Sequence, residues 1–435
     1  MNVTANPLIN AFREVLKDVE MDYRESSHDS TSQLEWEIYR RAYRLIELNK
    51  TDTTRKDILF IDSGFRTYET DVCNVTYIQL GGLYRDVEGN LKPMVRGRDA
   101  LILSVSRVRS GDGYDVRARV KGIDSRVLLG RPDEEFVAGQ ELTRLIRKIR
   151  PRISKDYRAY RRFSRYLTAL IELSYALKLY DVLRQERSLN PLIVIDGTLM
   201  RWFAVRRRGG TVDGVDVLTA LTGLDETTVL KYLTNVVGLS KSSKTTNLLR
   251  VRKLVREKGY DELSEVYGIF DWNGLREAVD LMGDRDVDEG VEGTLKEHVR
   301  IYNRMVYHVR GVWAVRAPVV TVGLNVYMVD VHSMKPVIDF NSDSLIVDKD
   351  ALNNVNERLA EAIPSVFAFR SRLVGVPPYG FMEVDQAVRV GGDEARAIDV
   401  AFIKAISESG GTDVAWAFAL ISSSVLRRYG YRWGV

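Results

Sequence analysis

The sequence predicts an α/β protein in which helices flank a mixed central sheet. Two apolar runs, at residues 58–61 and 192–195, each end in an aspartate and a tight turn of small residues. Runs of this length and composition are typical of buried strands. Between them lie segments of alternating polarity with turn residues, and then a long stretch of helical character. This order indicates that the two aspartate strands belong to one sheet, although they come from distant parts of the chain.

The amino-terminal half contains the first predicted elements. Residues 1–50 are expected to be helical and amphipathic, because five apolar residues recur there at helical spacing: Leu34, Ile38, Ala42, Leu45 and Ile46. After the first aspartate strand, turn residues separate three predicted strands of an antiparallel meander. These strands span residues 75–80, 101–105 and 115–120.

The carboxyl-terminal half alternates between helices and strands. A helical stretch is predicted over 134–187, interrupted near Pro151, and residues 211–300 are predicted to form a helical insertion. Later strands are predicted at 313–320, 326–331 and 365–373, and later helices at 394–409 and 413–429. The whole order fits an RNase H-like core over 51–435, with a helical amino-terminal segment and a helical insertion.

The composition excludes several classes of protein. With one cysteine, Cys73, the 435-residue chain has neither a disulfide framework nor a cysteine-rich zinc site. No apolar run approaches the length of a membrane span, and no secretory signal precedes the first helix, so we expect a cytoplasmic protein. The four histidines show no ligand spacing, and no Walker A or dinucleotide-binding glycine motif is present. The net charge of +4 permits nucleic-acid binding without requiring it.

The aspartates that end the two strands are the predicted metal ligands. Burial of Asp62 and Asp196 is unfavourable unless a cation or hydrogen bonds hold them. Mn²⁺ and Mg²⁺ prefer such oxygen ligands, and they assist phosphodiester hydrolysis. Glu172, which lies in an otherwise apolar helical stretch, is the predicted third carboxylate. Three other glutamates remain possible instead: Glu135, Glu141 and Glu186. An aspartate after a strand can also serve only as a turn former or helix cap.

Four short motifs occur in a fixed order along the chain. They are Ile-Asp-Ser-Gly-Phe-Arg at 61–66, Val-Ile-Asp-Gly-Thr-Leu at 194–199, Gly-Leu-Ser-Lys-Ser-Ser at 238–243 and Pro-Pro-Tyr-Gly-Phe-Met-Glu-Val-Asp at 377–385. Together they resemble the motifs of the archaeal NurA nuclease family. The resemblance implies a manganese- or magnesium-dependent DNA nuclease with an RNase H-like fold. It also implies exonuclease and single-strand endonuclease activity, a homodimer, and a hexameric HerA-type ATPase partner in DNA end resection and repair.

The resemblance also assigns individual residues. Asp62 and Asp196 match the family's metal-binding aspartates, and Glu172 matches the helical glutamate that precedes the second of them. The last motif departs from the family pattern, because Asp385 stands where the family has histidine and proline replaces the first tyrosine, although Tyr379 is kept. Since a carboxylate also binds Mn²⁺ or Mg²⁺, Asp385 completes the predicted metal set. The same departures are compatible with a catalytically weakened DNA-binding adaptor of an ATPase ring.

Basic residues provide the predicted contacts to DNA. Lys241, in the third motif, is predicted to stabilise phosphate charge, although its polar neighbours could also form a turn before a helix at 247–258. Between Arg144 and Arg165 there are ten arginines and lysines and one acid. Such a run predicts a surface that follows the DNA backbone, or alternatively a solvated helix or a subunit interface. The predicted DNA-binding residues are Arg147, Arg150, Arg158, Arg161, Arg162, Arg165 and Tyr379.

Two other classes of protein are compatible with parts of the sequence. Asp-Gly turns after strands also bind phosphate in sugar kinases and other actin-like ATPases, but the further glycine-rich loops of those proteins are missing here. Residues 218–229 resemble a helix-turn-helix, which predicts a DNA-binding regulator. Metal-dependent cleavage of DNA distinguishes a nuclease from a regulator and from an inactive adaptor.

Overall fold

The structure is a computed structural model of the chain. It describes residues 9–15, 17 and 30–408, apart from 50–54, 71–72, 95–98, 111–112, 125–126, 129–134, 136–137, 141, 145–158, 200–213, 242–244, 262–263, 283–305, 310–311, 322–324, 334, 336, 340–345, 372 and 374–375. The predicted helix at 413–429 and the interruption near Pro151 lie outside these residues.

Strands of the described residues form one large mixed sheet and a small separate hairpin. The strands are β1 (Tyr43–Glu47), β2 (Ile58–Glu69), β3 (Cys73–Arg85), β4 (Leu91–Pro93), β5 (Asp99–Ser110), β6 (Gly113–Asp124), β7 (Leu192–Asp196), β8 (Val236–Lys241), β9 (Val266–Phe270), β10 (Val306–Val309), β11 (Val312–Thr321), β12 (Asn325–Ser333), β13 (Ile338–Asp339) and β14 (Ile346–Val347). The large sheet has the order β1-β9-β11-β12-β8-β7-β2-β3-β5-β6, with β10 on β11 and β4 on β3. The hairpin is β13-β14.

Helices cover both faces of this sheet. They are α1 (Ser30–Ala42), α2 (Ala159–Arg187), α3 (Gly214–Thr222), α4 (Glu226–Leu233), α5 (Thr245–Glu257), α6 (Trp272–Met282), α7 (Lys349–Val366), α8 (Phe381–Val388) and α9 (Gly392–Glu408). Helix α2 packs on β2, β3, β5 and β7, whereas α8 packs on β2 and β3, and α7 packs on β9, β11 and β12. The predicted α/β class with a helix-flanked mixed sheet is confirmed.

Parallel pairing is confined, among the described strands, to β2, β7 and β8 at the centre of the sheet. Strand β7 pairs parallel with β2 on one side and with β8 on the other. The first four residues of β2 and of β7 are buried. A strand that is buried on both faces reads as an uninterrupted apolar run, which is why the two aspartate strands could be recognised from the sequence.

The sheet separates two hydrophobic cores, and alternate residues of β2 contribute to each. Ile58 and Phe60 belong to the first core, which also includes residues of β8, β11, β12 and α7. Leu59 and Ile61 belong to the second core, which α2 covers. Because side chains alternate along a strand, later even-numbered residues of β2 lie on the face of the first core and odd-numbered residues lie on the face of the second.

The structure differs from the predicted elements in three places. Leu45 and Ile46 lie in β1, which pairs antiparallel with β9, so the helix ends earlier than its apolar spacing suggests. Residues 365–373 do not form a strand, because α7 continues to Val366. The predicted helical insertion at 211–300 includes β8 and β9, two strands of the large sheet. The predicted limits of the domain are not tested by these elements and stay a prediction.

The expected meander is confirmed, as are two later strands and one later helix. Strands β3, β5 and β6 pair antiparallel in succession and contain the predicted segments. Strands β11 and β12 form the hairpin predicted from 313–331, and α9 occupies the segment predicted at 394–409. These elements were recognisable because their alternating or helical apolar periodicity is strong.

Glycines allow α8 to approach the sheet closely. A Cβ atom on Gly64 of β2 would lie 1.9 Å from the backbone oxygen of Val388, and one on Gly81 of β3 would lie 2.5 Å from its Cγ1 atom. Real Cβ atoms do not approach other atoms so closely. The end of α8 therefore packs directly on the backbone of β2 and β3, next to the aspartate of β2.

Gly64→Ala is expected to destabilise the protein by about 1–3 kcal/mol, because the added methyl group must displace α8 from β2. The matched control is Gly391→Ala, where an added Cβ meets no atom within 4 Å. Chemical denaturation measures the free energy of unfolding of both variants. Equal stability of the two variants would contradict the close packing of α8 on the sheet.

Candidate active site

Asp62 and Asp196 lie side by side at the carboxyl edge of the parallel strands. Each directly follows the register pair formed by Ile61 of β2 and Ile195 of β7. Phe60 and Val194, two residues earlier, both face the first core. Because side chains alternate along a strand, both carboxylates lie on that same face of the sheet. The predicted juxtaposition of the two aspartates is thus present in the fold.

Glu172 approaches the same edge from the other face. It lies on α2 and is only 4% exposed. The hydroxyl of Ser63 donates a hydrogen bond to Glu172 Oε2, and the Ser63 backbone N–H donates to Asp62 Oδ1 at 2.7 Å. Ser63 therefore connects the carboxylate of the strand with the carboxylate of the helix.

Two of the other glutamates considered from the sequence, Glu135 and Glu186, are described and lie elsewhere. Glu135 Oε1 accepts a hydrogen bond from the backbone N–H of Gly122, at 2.6 Å, near the far edge of the sheet. Glu186 is exposed near the carboxyl end of α2, and Glu141 lies outside the described residues. Glu172 is therefore the glutamate that the fold places beside Asp62.

Helix α8 brings Asp385 to the site from the side of the first core. Asp385 is exposed. It lies one helical turn before Val388, the residue that packs against Gly64 and Gly81. The helix begins after Gly380, whose φ of 102° suits a residue without a side chain. A Cβ atom there would lie 2.3 Å from the Phe60 ring, so this turn is packed against β2 directly below Asp62.

Arg85 fixes the segment that leads into α8. Its side chain is buried, and its guanidinium donates hydrogen bonds to the backbone oxygens of Tyr379, Ser365 and Val366. The rings of Phe60 and Phe369 each lie 5.1 Å from its Cζ atom. Burial lowers the pKa of Arg85 to about 10, so the guanidinium stays charged at neutral pH and holds the chain before Asp385.

The other three predicted carboxylates act on the electrostatic state of Asp62. Burial, followed by the negative charge of Glu172, raises the pKa of Asp62 to about 7. The charges of Asp196 and Asp385 also raise this pKa, whereas the backbone N–H of Ser63 lowers it. Such a group is held near its titration point by burial and like charges, which is a frequent property of functional sites.

The donor set suits a hard divalent cation. All four groups are carboxylates, and a cation between them would relieve the repulsion that raises the pKa of Asp62. Within the part of the chain that the structure describes, no three acidic, histidine or cysteine side chains form a complete preformed ligand group.

Lys241 lies on the same face, as the last residue of β8. Asp196 of β7 is opposite Leu239 of β8 in the parallel register, and Leu239 faces the first core. Lys241, two residues further on, therefore shares this face. Its Nζ atom lies 5.2 Å from the centre of the Phe381 ring at the start of α8. A positive charge is thus placed on the same face as the carboxylates.

The predicted DNA-binding residues fall into three groups. Arg147, Arg150 and Arg158 lie outside the described residues, and for Arg161 and Arg162 only their place in α2 is described. Arg165 is exposed on α2 about two helical turns before Glu172, so the two residues are about 10 Å apart along one side of the helix. Tyr379 is 41% exposed beside α8. The side chains of Arg165 and Tyr379 are therefore exposed to solvent.

The segment that resembles a helix-turn-helix does contain two helices. Helices α3 and α4 are separated by three residues and pack against α2. The amino-terminal end of α4, which would contact bases in such a motif, instead carries Asp225 as its cap and Glu226 in its first turn. These acids repel DNA phosphates, so this segment does not favour a regulator.

Comparison with known proteins shows that the chain is similar to several solved structures. No family model matches the chain, and no curated protein matches it. The chain is similar to the NurA nucleases. The NurA nuclease from Sulfolobus solfataricus is 12% identical, with a TM-score of 0.39 over 98% of this chain and 99% of that chain. A NurA structure with manganese is 10% identical, with a TM-score of 0.32 over 91% and 98% of the two chains. One bound to dAMP and manganese is 9% identical, with a TM-score of 0.28 over 91% and 96%.

None of the helices that the structure describes is long and apolar enough to cross a membrane.

The sequence left several residues of the site unrecognised. Ser63 was visible only as part of a motif, and its contact with Glu172 depends on the packing of α2. Arg85 follows a Gly-Gly-Leu-Tyr run and gives no signal of burial. Asp330 of β12 had a usable signal, because it is an acid within an apolar strand and an arginine, Arg316, occupies the neighbouring one.

Asp62→Asn is expected to change how the stability of the metal-free protein depends on pH. A raised pKa in the folded state means that the wild-type protein loses stability as pH rises from about 4 through 7, because the buried carboxyl must ionise. The amide cannot ionise. The variant should therefore be more stable than the wild type at pH 8, by at most about 4 kcal/mol, and similar to it at pH 4.

Denaturant unfolding in the presence of a chelator at both pH values measures this difference. Asp348→Asn is the control, because Asp348 caps α7 and asparagine caps helices equally well. The same change in stability at both pH values for Asp62→Asn would contradict a raised pKa at Asp62.

Proposed function

We propose that this chain is a metal-dependent nuclease that hydrolyses phosphodiester bonds in DNA. The observation that carries the proposal is the position of Asp62 and Asp196, side by side at the carboxyl ends of two parallel strands. The charges of Glu172 and Asp385 act on the same buried group. Four carboxylates at one edge of a sheet bind cations rather than phosphate directly, because like charges repel.

Each of the chain's own residues has a role in this proposal. Asp62, Glu172, Asp196 and Asp385 would hold the cation, and Ser63 would orient Glu172 towards Asp62 through its hydroxyl. A bound Mn²⁺ or Mg²⁺ supplies Lewis-acid activation of water and neutralises charge on the phosphate. Lys241 would donate to a phosphate oxygen of the scissile strand. Arg165 and Tyr379 would hold the strand through a phosphate contact and base stacking.

The finer parts of the proposal come from the resemblance of the motifs. They are exonuclease and single-strand endonuclease activity, a homodimer in the cytoplasm, and a HerA-type hexameric ATPase that works with the nuclease in DNA end resection. Manganese is the cation named with two of the similar solved structures, so it is the first cation to test.

Cleavage of end-labelled linear DNA tests the proposal directly. With Mn²⁺ the wild-type protein is expected to degrade the DNA, and a chelator should stop the reaction. Asp62→Asn and Asp196→Asn should each lower the rate at least about 100-fold, because each removes a charged ligand from the cation. Asp348→Asn, the cap variant, should keep the wild-type rate. Cleavage that survives both site substitutions would refute the proposed site.

Asp385 should influence which cation supports cleavage. Asp385→His places an imidazole where the exposed carboxylate lies, and imidazole suits Mn²⁺ better than it suits Mg²⁺. The variant is therefore expected to retain cleavage with Mn²⁺ and to lose about 10-fold or more with Mg²⁺. Asp385→Asn should lower the rate with both cations. Rates for the three proteins at saturating Mn²⁺ and Mg²⁺ make the comparison, and an unchanged cation preference in Asp385→His would place Asp385 outside the ligand set.

A further inference from the structure

A buried ion pair joins β11 and β12 close to the turn that follows β7, the second aspartate strand. Arg316 of β11 and Asp330 of β12 are directly opposite each other in the antiparallel register. Asp330 is 0% exposed, and its Oδ1 and Oδ2 atoms accept hydrogen bonds from Nε and Nη2 of Arg316 at 2.6 and 2.9 Å. The hydroxyl of Tyr43 donates to the backbone oxygen of Arg316 and fixes the strand from which the guanidinium extends.

The same carboxylate also holds the turn that follows Asp196. The hydroxyl of Thr198 donates to Asp330 Oδ2 at 2.8 Å, and the backbone N–H of Leu199 donates to the same atom at 3.1 Å. Asp330 therefore accepts two hydrogen bonds from Arg316 and two from the turn. A fully buried carboxylate needs partners of this kind, because an unpaired buried charge is strongly destabilising.

Close packing leaves this turn little freedom. Gly238 of β8 is opposite Asp330, and a Cβ atom on Gly238 would lie 2.7 Å from the backbone oxygen of Gly197. The N–H of Gly197 donates to the backbone oxygen of Leu239 at 2.9 Å, and Gly197 itself has a φ of 87°. The residue directly after Asp196 is thus held by β8, and the next two residues are held by Asp330.

We propose that Arg316 and Asp330 are positioning residues for the nuclease site. They do not contact the reacting groups. They hold Thr198 and Leu199, and through the short turn they set the direction in which the half-buried Asp196 faces Asp62. The proposal rests on the proposed function where it concerns the cation, whereas the effect on the turn can be measured without any cation.

Three variants separate positioning from general loss of stability. In Asp330→Asn the amide must turn its NH₂ group towards either the guanidinium or the turn, and both are hydrogen-bond donors. Thr198→Val removes only the hydroxyl that reaches Asp330 and leaves the ion pair intact. Asp399→Asn is the matched control, because Asp399 is equally buried and accepts from Arg66 at 3.0 and 2.8 Å, but joins α9 to the distal half of β2.

The first measurement is hydrogen exchange of the metal-free proteins over residues 192–199. We expect at least about 10-fold faster exchange in Asp330→Asn and a smaller increase in Thr198→Val, since each weakens bonds that hold the turn. Asp399→Asn should exchange at the wild-type rate in this segment. Wild-type exchange in folded Asp330→Asn, or equally fast exchange in Asp399→Asn, would overturn the proposal. If Asp330→Asn does not fold, Thr198→Val decides by the same comparison.

The second measurement is titration calorimetry with Mn²⁺. Asp330→Asn is expected to bind Mn²⁺ about 10-fold more weakly, as observed for residues that orient metal ligands, and Asp399→Asn should keep the wild-type affinity. Wild-type Mn²⁺ affinity in Asp330→Asn would overturn the positioning role. If the wild-type protein neither binds Mn²⁺ nor cleaves DNA, the proposed function fails, and the exchange of residues 192–199 still decides whether Asp330 holds the turn.

Discussion

The parallel pairing of β2, β7 and β8 is the constraint on which the rest of the structure depends. Three neighbouring strands that run in one direction bring their carboxyl ends to one edge of the sheet, and there the apolar runs end in Asp62, Asp196 and Lys241. Up to that edge, helices bury the strands on both faces. On these three strands the ionisable groups lie where this burial stops, because a charge inside the apolar layers is unfavourable unless it has partners. The pairing thus selects both the place and the orientation of the site.

The two faces of the sheet contribute to this edge in different ways. On one face, the long helix α2 is anchored by its apolar residues and brings Glu172 to Ser63. On the other face, the short helix α8 reaches the sheet only because Gly64 and Gly81 have no side chains. Buried contacts of Arg85 hold the segment before α8. Glu172 is thus buried on a long packed helix, whereas Asp385 is exposed on a short one.

How much could be predicted from the sequence depended on whether the signal was local. An apolar run that ends in aspartate is local, so β2, β7 and both aspartates were predictable, and the apolar setting of Glu172 identified the helix of the third carboxylate. The strand at Leu45 and Ile46 was not predictable, because only its pairing with β9 separates it from the end of α1. Asp330 was visible as an acid within an apolar strand, but its role was not predictable, since its partners are residues 14 and 132 positions away in the chain.

In the proposed nuclease, like charges at the site would connect cation binding with DNA binding. The negative charges of Glu172, Asp196 and Asp385 repel the carboxylate of Asp62 and raise its pKa. The phosphates of a DNA strand at the same place would add to that repulsion. Lys241 and Arg165 offset only part of it, because each contributes one charge at the border of the site. A divalent cation both relieves the repulsion among the carboxylates and supplies the charge that a phosphate requires. In the proposed nuclease, binding of each ligand would therefore favour binding of the other, since thermodynamic coupling between two sites is reciprocal.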